Sequence, residues 1–466
     1  MSCLFAVAAC KSKPQPNADA GPPLEGNANA RELMTKIGQG KAPTQKNKDV
    51  HLPGTGLQWT TVIPQDGQRG FFGGVGPTEA SVLRTEDAGK SWTTYLVDID
   101  ASQIVSFAGG ADNSFVIALA KRQPPKKTPA KGEIPPIDTL QLYFQDGDKL
   151  AAISNILPLK DKPNLVIPKG TAQQAVLSKP GDSANALLTS FVVETGNKAW
   201  QLMYGVPATA GIPAPVPIPS GETPVFAPYG RPPVLLTLTS KELVARPWPM
   251  PNEALAKPTP ITGIEVTKEL QDELAKGPEC EYRGWSFRRF AQPKGRVFAL
   301  AVSKDKQVAF ELPTTTVMTQ PMGCDEEKVI VEATDPVSPG PALVICGITS
   351  GCVVPQNHAF APPWKDQHDR LMGFAMTTKG AIAVETMWNP VQWTFLLTDS
   401  LNGGKTFDQE REVLQGKGAR GRMVLGALMG FGDRTVILSI APVTGTSANQ
   451  WYALASDNNG ESWGPP

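Results

Sequence analysis

The chain has 466 residues, with 44 Lys and Arg against 44 Asp and Glu, so its net charge is zero and its charged residues amount to only 19%. That balance excludes the basic excess that a nucleic-acid surface needs. With 45 prolines and 44 glycines, about a fifth of the chain favours turns, which predicts many short strands joined by loops rather than long helices.

The N-terminus, MSCLFAVAACKSK, is an apolar run that ends in Val7-Ala8-Ala9-Cys10. It resembles a bacterial lipobox, in which small residues fit the peptidase pocket and the cysteine is lipidated. The resemblance implies that Cys10 is the lipidation site and that residues 1–9 are the remnant of a signal peptide. No Lys or Arg precedes the run, and a signal peptide needs a positive start and a longer apolar core, so the reading places the natural start upstream. Residues 10–54 are polar, with Pro, Gly, Asn and Lys scattered through them, and cannot bury enough apolar surface to fold alone. They read as a flexible tether with one helical turn around Ala30–Ile37. Lys11 stands where an Asp would signal retention at the inner membrane, so the resemblance implies an envelope protein held in the outer membrane.

From residue 55 to 466 the chain reads as one β domain. Strand-like runs recur in groups of three: 69–76 and 81–87 near the start, then 103–110, 114–121 and 140–148, and so on to 422–432, 434–442 and 450–457. Alternation and β-branched residues mark them as strands. Two segments interrupt the rhythm, the Pro/Lys-rich loop 121–136 and the segment 267–280. The second reads as a helix because Leu270 and Leu274 stand four apart.

Three eight-residue stretches share one form. They are TEDAGKSW (85–92), SLNGGKTF (400–407) and SDNNGESW (456–463): Ser/Thr, any residue, Asp/Asn, any residue, Gly, any residue, Ser/Thr, aromatic. The side chains of Asp87, Asn402 and Asn458 can accept backbone N–H groups and hold a bend. Gly89, Gly404 and Gly460 suit positive φ, and Trp92, Phe407 and Trp463 can fold beneath the turn. Thr85, Ser400 and Ser456 open each copy. The form resembles the Asp-box of the bacterial neuraminidase repeat. Its chemistry is that of a turn, so the structural role outweighs a sugar- or metal-binding one. The resemblance implies an all-β propeller of four-stranded antiparallel blades. Thr85 and Ser456 are 371 residues apart and Ser400 and Ser456 are 56 apart, which gives seven or eight blades. Discounting the two insertions gives seven, within a span of six to eight; counting strand triplets gives eight. The resemblance also puts the turn between the third and fourth strands of a blade. Because LQWTTVIP (57–64) is similar to KSWTTYLV (90–97), residues 57–63 are expected to complete the last blade; the weaker alternative makes them the first strand of the first blade.

Four cysteines remain beyond Cys3 and Cys10, and an even number outside the cytoplasm reads as two disulfides with three possible connectivities. Cys346 ends one strand and Cys352 begins the next, with five residues between, so a hairpin would bring them into range. That leaves Cys280, at the end of the helical insertion, to meet Cys324. Their spacing has no zinc-site pattern, and neither a metal nor a cofactor is expected.

The resemblance raises sialidase chemistry, which needs an Arg triad, a Tyr nucleophile with a Glu partner and an Asp acid/base. Before the first box only Arg69 and Arg84 are available, and neither lies in the Arg-Ile-Pro motif of that family. The richest cluster is Tyr282, Arg283, Arg288 and Arg289, set against the plainer reading of a strand face packing Trp285 and Phe287. His358, Asp366, His368 and Asp369 could hold a metal but match no ligand spacing and read better as a surface loop; Lys417, Arg420 and Arg422 could hold an anion but read better as a charged loop. The expected function is a non-catalytic envelope lipoprotein. Its partners would be the membrane, through the lipid anchor, and a protein or glycan at the propeller face; it would be monomeric. A divergent exo-sialidase or related glycosidase is the alternative.

Overall fold

The computed structural model describes residues 58–64, 67–75, 79–99, 103–109, 115–122, 137–146, 149–153, 176–178, 188–194, 200–205, 216–225, 229–230, 233–249, 253–320, 322–334, 341–356, 369–388, 392–408, 411–417, 424–442 and 449–463. The Cys10 lipidation site, the signal remnant 1–9 and the tether 10–54 lie outside these residues, as do residues 123–136 of the first insertion.

The described residues form eight antiparallel sheets, each a meander in chain order. Sheet 1 holds β1 (Gln58–Pro64), β2 (Gly70–Val75), β3 (Glu79–Thr85) and β4 (Thr93–Asp98). Sheet 2 holds β5 (Gln103–Gly109), β6 (Phe115–Arg122), β7 (Ile137–Asp146) and β8 (Lys149–Ile153). Sheet 3 holds β9 (Val176–Ser178), β10 (Leu188–Glu194), β11 (Trp200–Gly205) and β12 (Val216–Pro217). Sheet 4 holds β13 (Thr223–Pro224), β14 (Val234–Leu238), β15 (Leu243–Pro247) and β16 (Thr259–Ile261). After helix α1 (Lys268–Ala275), sheet 5 holds β17 (Cys280–Tyr282), β18 (Trp285–Gln292), β19 (Arg296–Val302) and β20 (Gln307–Leu312). Sheet 6 holds β21 (Gly323–Cys324), β22 (Lys328–Thr334), β23 (Pro341–Gly347) and β24 (Gly351–Val353). Sheet 7 holds β25 (Asp369–Met376), β26 (Ala381–Trp388), β27 (Gln392–Ser400) and β28 (Arg411–Lys417); sheet 8 holds β29 (Val424–Phe431), β30 (Arg434–Pro442) and β31 (Asn449–Ser456).

The fold is a β-propeller. First strands of successive sheets adjoin, β17 to β21, β21 to β25 and β25 to β29, and β29 returns to β1. Between the sheets lie dry layers of side chains. Phe72 and Leu83 of sheet 1 pack with Met429, Phe431, Val436 and Leu438 of sheet 8. Phe71, Val82 and Tyr95, on the other face of sheet 1, pack with Phe115 and Ile117 of sheet 2. Strand alternation sends neighbouring residues such as Phe71 and Phe72 to opposite sheets, which is how a blade buries both faces. β1 also touches β17, four sheets away, so the centre of the ring is closed along that line.

Two expectations are corrected. The described residues make eight sheets rather than seven. The insertions do not absorb a blade: one falls between β6 and β7 of a single sheet, the other between sheets 4 and 5. The count of seven rests on discounting the insertions; the strand triplets give eight, although β12 and β13 in the Pro-rich middle are only two residues each. Residues 57–63 do not complete the last blade either. β1 pairs antiparallel with β2, from Gln58 opposite Val75 to Pro64 opposite Gly70. A short local hairpin closes at far less entropic cost than pairing with a strand almost the whole chain away.

The helix forms where Leu270 and Leu274 predicted it. Both leucines are buried in the layer between sheets 4 and 5, against Leu236, Phe290 and Leu300. The Tyr229 hydroxyl donates to Leu274 O at 2.7 Å, and Arg288 Nη1 donates to Gly277 O at 2.8 Å, fixing the end of the helix. Both disulfides pair as expected. Cys346 and Cys352 are direct cross-strand partners on β23 and β24. Cys280 joins Cys324, which ties the first strand of sheet 5 to that of sheet 6.

Candidate functional site

The three eight-residue turns fold alike. In each, the first-position hydroxyl accepts the N–H of the fifth-position glycine: Gly89 N to Thr85 Oγ1 at 2.8 Å, Gly404 N to Ser400 Oγ at 2.9 Å and Gly460 N to Ser456 Oγ at 2.7 Å. The third-position side chain accepts the seventh N–H: Ser91 N to Asp87 Oδ1 at 2.8 Å, Thr406 N to Asn402 Oδ1 at 3.0 Å and Ser462 N to Asn458 Oδ1 at 2.9 Å. With Asp, Ser91 Oγ donates to Asp87 Oδ2 at 2.6 Å. With Asn the bond reverses, and Nδ2 donates to Thr406 Oγ1 at 2.6 Å or Ser462 Oγ at 2.9 Å. A hydroxyl at position seven serves both because it can donate or accept.

The glycine is required twice over. Its φ is 77° at Gly89, 88° at Gly404 and 84° at Gly460. A Cβ there would also meet the preceding sheet, 2.6 Å from Val436 Cγ2, 3.0 Å from Ile345 Cγ1 and 2.7 Å from Leu397 Cδ1 respectively. Position four is left-handed as well, which the sequence pattern did not flag: Ala88 at 58°, Gly403 at 70° and Asn459 at 59°. Phe407 and Trp463 are buried, whereas Trp92 is half-buried and donates its indole N–H to Gly89 O at 3.1 Å.

The first and third turns face each other across a cavity of about 250 Å³ between sheets 8 and 1. Asp87, Ala88 and Lys90 form one wall and Asp457 the opposite one; Gly67 and Gln68 close the sheet 1 end, and Phe431, Asp433 and Arg434 the sheet 8 end. Arg434 Nη1 donates to Asp457 Oδ1 at 2.7 Å, and Ala88 N donates to Gln68 O at 2.7 Å. The wall is therefore backbone, one aromatic edge and charges of both signs. Sequence reasoning missed Lys90, Asp433, Arg434 and Asp457. Two of them, Lys90 and Asp457, sit beside constrained positions of a turn, and the sequence holds no sign that two turns 371 residues apart meet.

The Tyr282 cluster does not converge. Tyr282 is buried at the end of β17, and burial raises its hydroxyl pKa above the usual range. Arg283 occupies the hairpin turn at φ 44° and reaches Glu326 of the next sheet at 3.0 Å. Arg288 and Arg289 are consecutive on β18 and so point to opposite faces. Arg289 is 1% exposed. Its guanidinium donates to Glu279 Oε2 at 2.8 Å, to Val317 O at 2.6 Å, and to the carbonyls of Met318 and Gln320. Arg288 is held by Gly277 O and, more loosely, by Glu273 and Glu279 at 3.6 and 3.9 Å. Both guanidiniums are committed to folding the β17 and α1 region. Arg84 pairs with Glu86 beside the first turn.

Of the remaining candidates, His358, Asp366 and His368 lie outside the described residues; Asp369 begins β25. Lys417 ends β28, and Arg420 and Arg422 lie outside the described residues. Among the described residues no group of three or more His, Cys, Asp or Glu is placed to hold a metal ion.

No family model and no curated protein matches the chain. Among solved structures it is similar to an ulvan lyase, a polysaccharide lyase of a new family, with 10% identity, a TM-score of 0.39, and 88% of this chain and 96% of that one covered. It is similar to the WD40 domain of SCAP from fission yeast, with 11% identity, a TM-score of 0.42, and 89% and 98% covered. The β-propeller domain of the Trilobed protease from Pyrococcus furiosus gives 10% identity, a TM-score of 0.31, and 85% and 95% covered.

Proposed function

We propose that this chain is a non-catalytic, lipid-anchored binding protein of the bacterial cell envelope, related to the Asp-box propellers, that takes a protein or glycan partner in the cleft between sheets 8 and 1. The observation that carries the reading is the cleft itself. It is open, and it combines exposed charges of both signs with backbone edges and the Phe431 edge, the mixture that orients a polar partner. The glycosidase alternative loses its best residues, because Arg288 and Arg289 are spent on internal partners. The shared hydrogen-bond network of the three turns supports the family likeness, and the VAAC run supports an anchor at Cys10 with outer-membrane placement.

The full chain, expressed from its natural start, tests both parts. Binding to an array of defined oligosaccharides, together with photo-crosslinking from Lys90 in intact envelopes, should give a partner signal. Arg434→Ala should weaken that signal at least tenfold without unfolding the protein, and no turnover of a fluorogenic sialoside is expected. Undiminished binding by Arg434→Ala would move the site elsewhere; turnover would reinstate the enzyme. Metabolic acyl labelling should be lost in Cys10→Ser, and an unlabelled wild type would remove the anchor.

A further inference from the structure

The sequence contains two Asn-Gly steps, Asn402-Gly403 and Asn459-Gly460, and both fall inside the eight-residue turns. At such a step the asparagine side chain is open to attack by the backbone nitrogen of the next residue, because glycine puts no side chain in the way. The fold treats the two oppositely. Gly460 N is tied to Ser456 Oγ at 2.7 Å, and the Asn459 side chain is buried between Thr377 and Asp399. Asn402 and Gly403 are both exposed, Gly403 is left-handed at φ 70°, and a Cβ on it would have nothing within 4 Å. In the first turn the nitrogen of position four, Ala88 N, is taken up by Gln68 O at 2.7 Å; among the described residues nothing accepts from Gly403 N.

The amide of Asn402 is also polarised by its own turn. Its Oδ1 accepts from Thr406 N at 3.0 Å and from Ser400 Oγ at 3.2 Å, two donors aimed at the oxygen on which negative charge grows as a nitrogen adds to Cγ. Its Nδ2 donates to Thr406 Oγ1 at 2.6 Å, a hydroxyl that can turn and hand a proton to a departing amine. We propose that Asn402 is a site of self-modification, at which the second turn catalyses its own deamidation to aspartate. Gly403 N loses its proton to water and bonds to Asn402 Cγ. The Cγ–Nδ2 bond breaks, and Nδ2 leaves as ammonia with a proton relayed from water through Thr406 Oγ1. Water then opens the five-membered imide at Cγ, which leaves a carboxyl on the side chain and restores the N–H of Gly403. The first turn shows that the product fits. Asp87 holds the same place, accepting Ser91 N through Oδ1 and Ser91 Oγ through Oδ2, so an aspartate at 402 needs only the Thr406 hydroxyl to reverse. Opening at the other carbonyl would lengthen the backbone by one carbon and break that network, so the turn favours aspartate over isoaspartate. Asn458 is the internal control. It bonds Ser456 Oγ, Ser462 N and Ser462 Oγ as Asn402 bonds its own partners, but the next residue is buried Asn459 rather than open Gly403.

Peptide mapping of the full chain after incubation in mildly alkaline buffer reads the modification directly, as the mass gained when an amide becomes a carboxyl. In the folded protein Asn402 should convert about tenfold faster than Asn458 or Asn459, and at least as fast as in the urea-denatured chain, where Asn459 should catch up with it. Gly403→Ala should slow the conversion about tenfold, and the turn accepts alanine at this place, as Ala88 shows. Thr406→Val keeps the backbone donor but removes the relay and should slow it about fivefold, whereas Thr406→Ser should not. The product should be mainly aspartate, and thermal melting should not change with conversion. No mass gain at Asn402, equal conversion at Asn458, or faster conversion on unfolding overturns the proposal, and a product that is mostly isoaspartate overturns the selection of aspartate by the turn.

Discussion

The two flanks of sheet 8 carry the same eight-residue turn and end up differently. Toward sheet 7 the junction is latched. Asn459, fourth in its turn and 2% exposed, accepts from Thr377 Oγ1 at 2.8 Å and donates to Asp399 Oδ2 at 3.0 Å. Thr378 N donates to Gly432 O at 3.1 Å, and Gly430 lies so close to β25 that a Cβ would sit 2.2 Å from Met376 O. Toward sheet 1 the fourth-position residue is Ala88, and the residue before the facing turn is Ala455 where sheet 7 has Asp399. The contact there is apolar, through Val436, Phe72 and Met429, and the polar remainder opens as the cavity. One turn scaffold thus yields a weld or a cleft, according to whether its unconstrained fourth position brings a hydrogen-bonding side chain.

The largest effect should come from breaking the close approach on the latched side. Gly430→Ala forces a methyl onto a backbone carbonyl that cannot move aside, and a loss of about 3 kcal/mol is expected in chemical denaturation. An unchanged midpoint would mean that the two first strands are not in contact. Asn459→Ala should cost about 2 kcal/mol, since it removes both the donor to buried Asp399 and the acceptor for Thr377. Asn459→Gly, which keeps the left-handed backbone at ease, isolates the hydrogen bonds from the backbone strain; if it matches wild type, the latch is only conformational. On the open side Ala88→Gly should stabilise by about 1 kcal/mol by relieving a non-glycine left-handed residue, and no such gain is expected at Asn459. Smallest is Arg434→Ala. Its pair with an exposed carboxylate is worth about 0.5 kcal/mol, so thermal melting should barely shift while partner binding falls. A large melting shift would make Arg434 a structural residue rather than a binding one.

Much of the fold was legible because it is local. Turn chemistry at 85–92, 400–407 and 456–463, alternation along the longer strands, the Leu270–Leu274 stripe and the five-residue loop between Cys346 and Cys352 are all set by neighbours within a few positions. Strand triplets even gave the count of eight, until the insertions were discounted. The candidate site was not legible. The arginines of YRGWSFRRF lie close in sequence, but a strand sends Arg288 and Arg289 to opposite faces, where Gly277 O holds Arg288 and Glu279 with the loop carbonyls of residues 317–320 holds Arg289.

By itself, then, the sequence determined an all-β chain of hairpin meanders, three identical turns, one helix and two disulfides, because each depends on short-range geometry and hydrophobic period. Only the tertiary structure decided that β1 begins a sheet instead of finishing one, that the last sheet holds three strands among the described residues, and that Ala88 faces Arg434 across a cavity. Those outcomes depend on which sheet packs beside which around the ring, and residues brought together that way carry no common mark in the order of the chain.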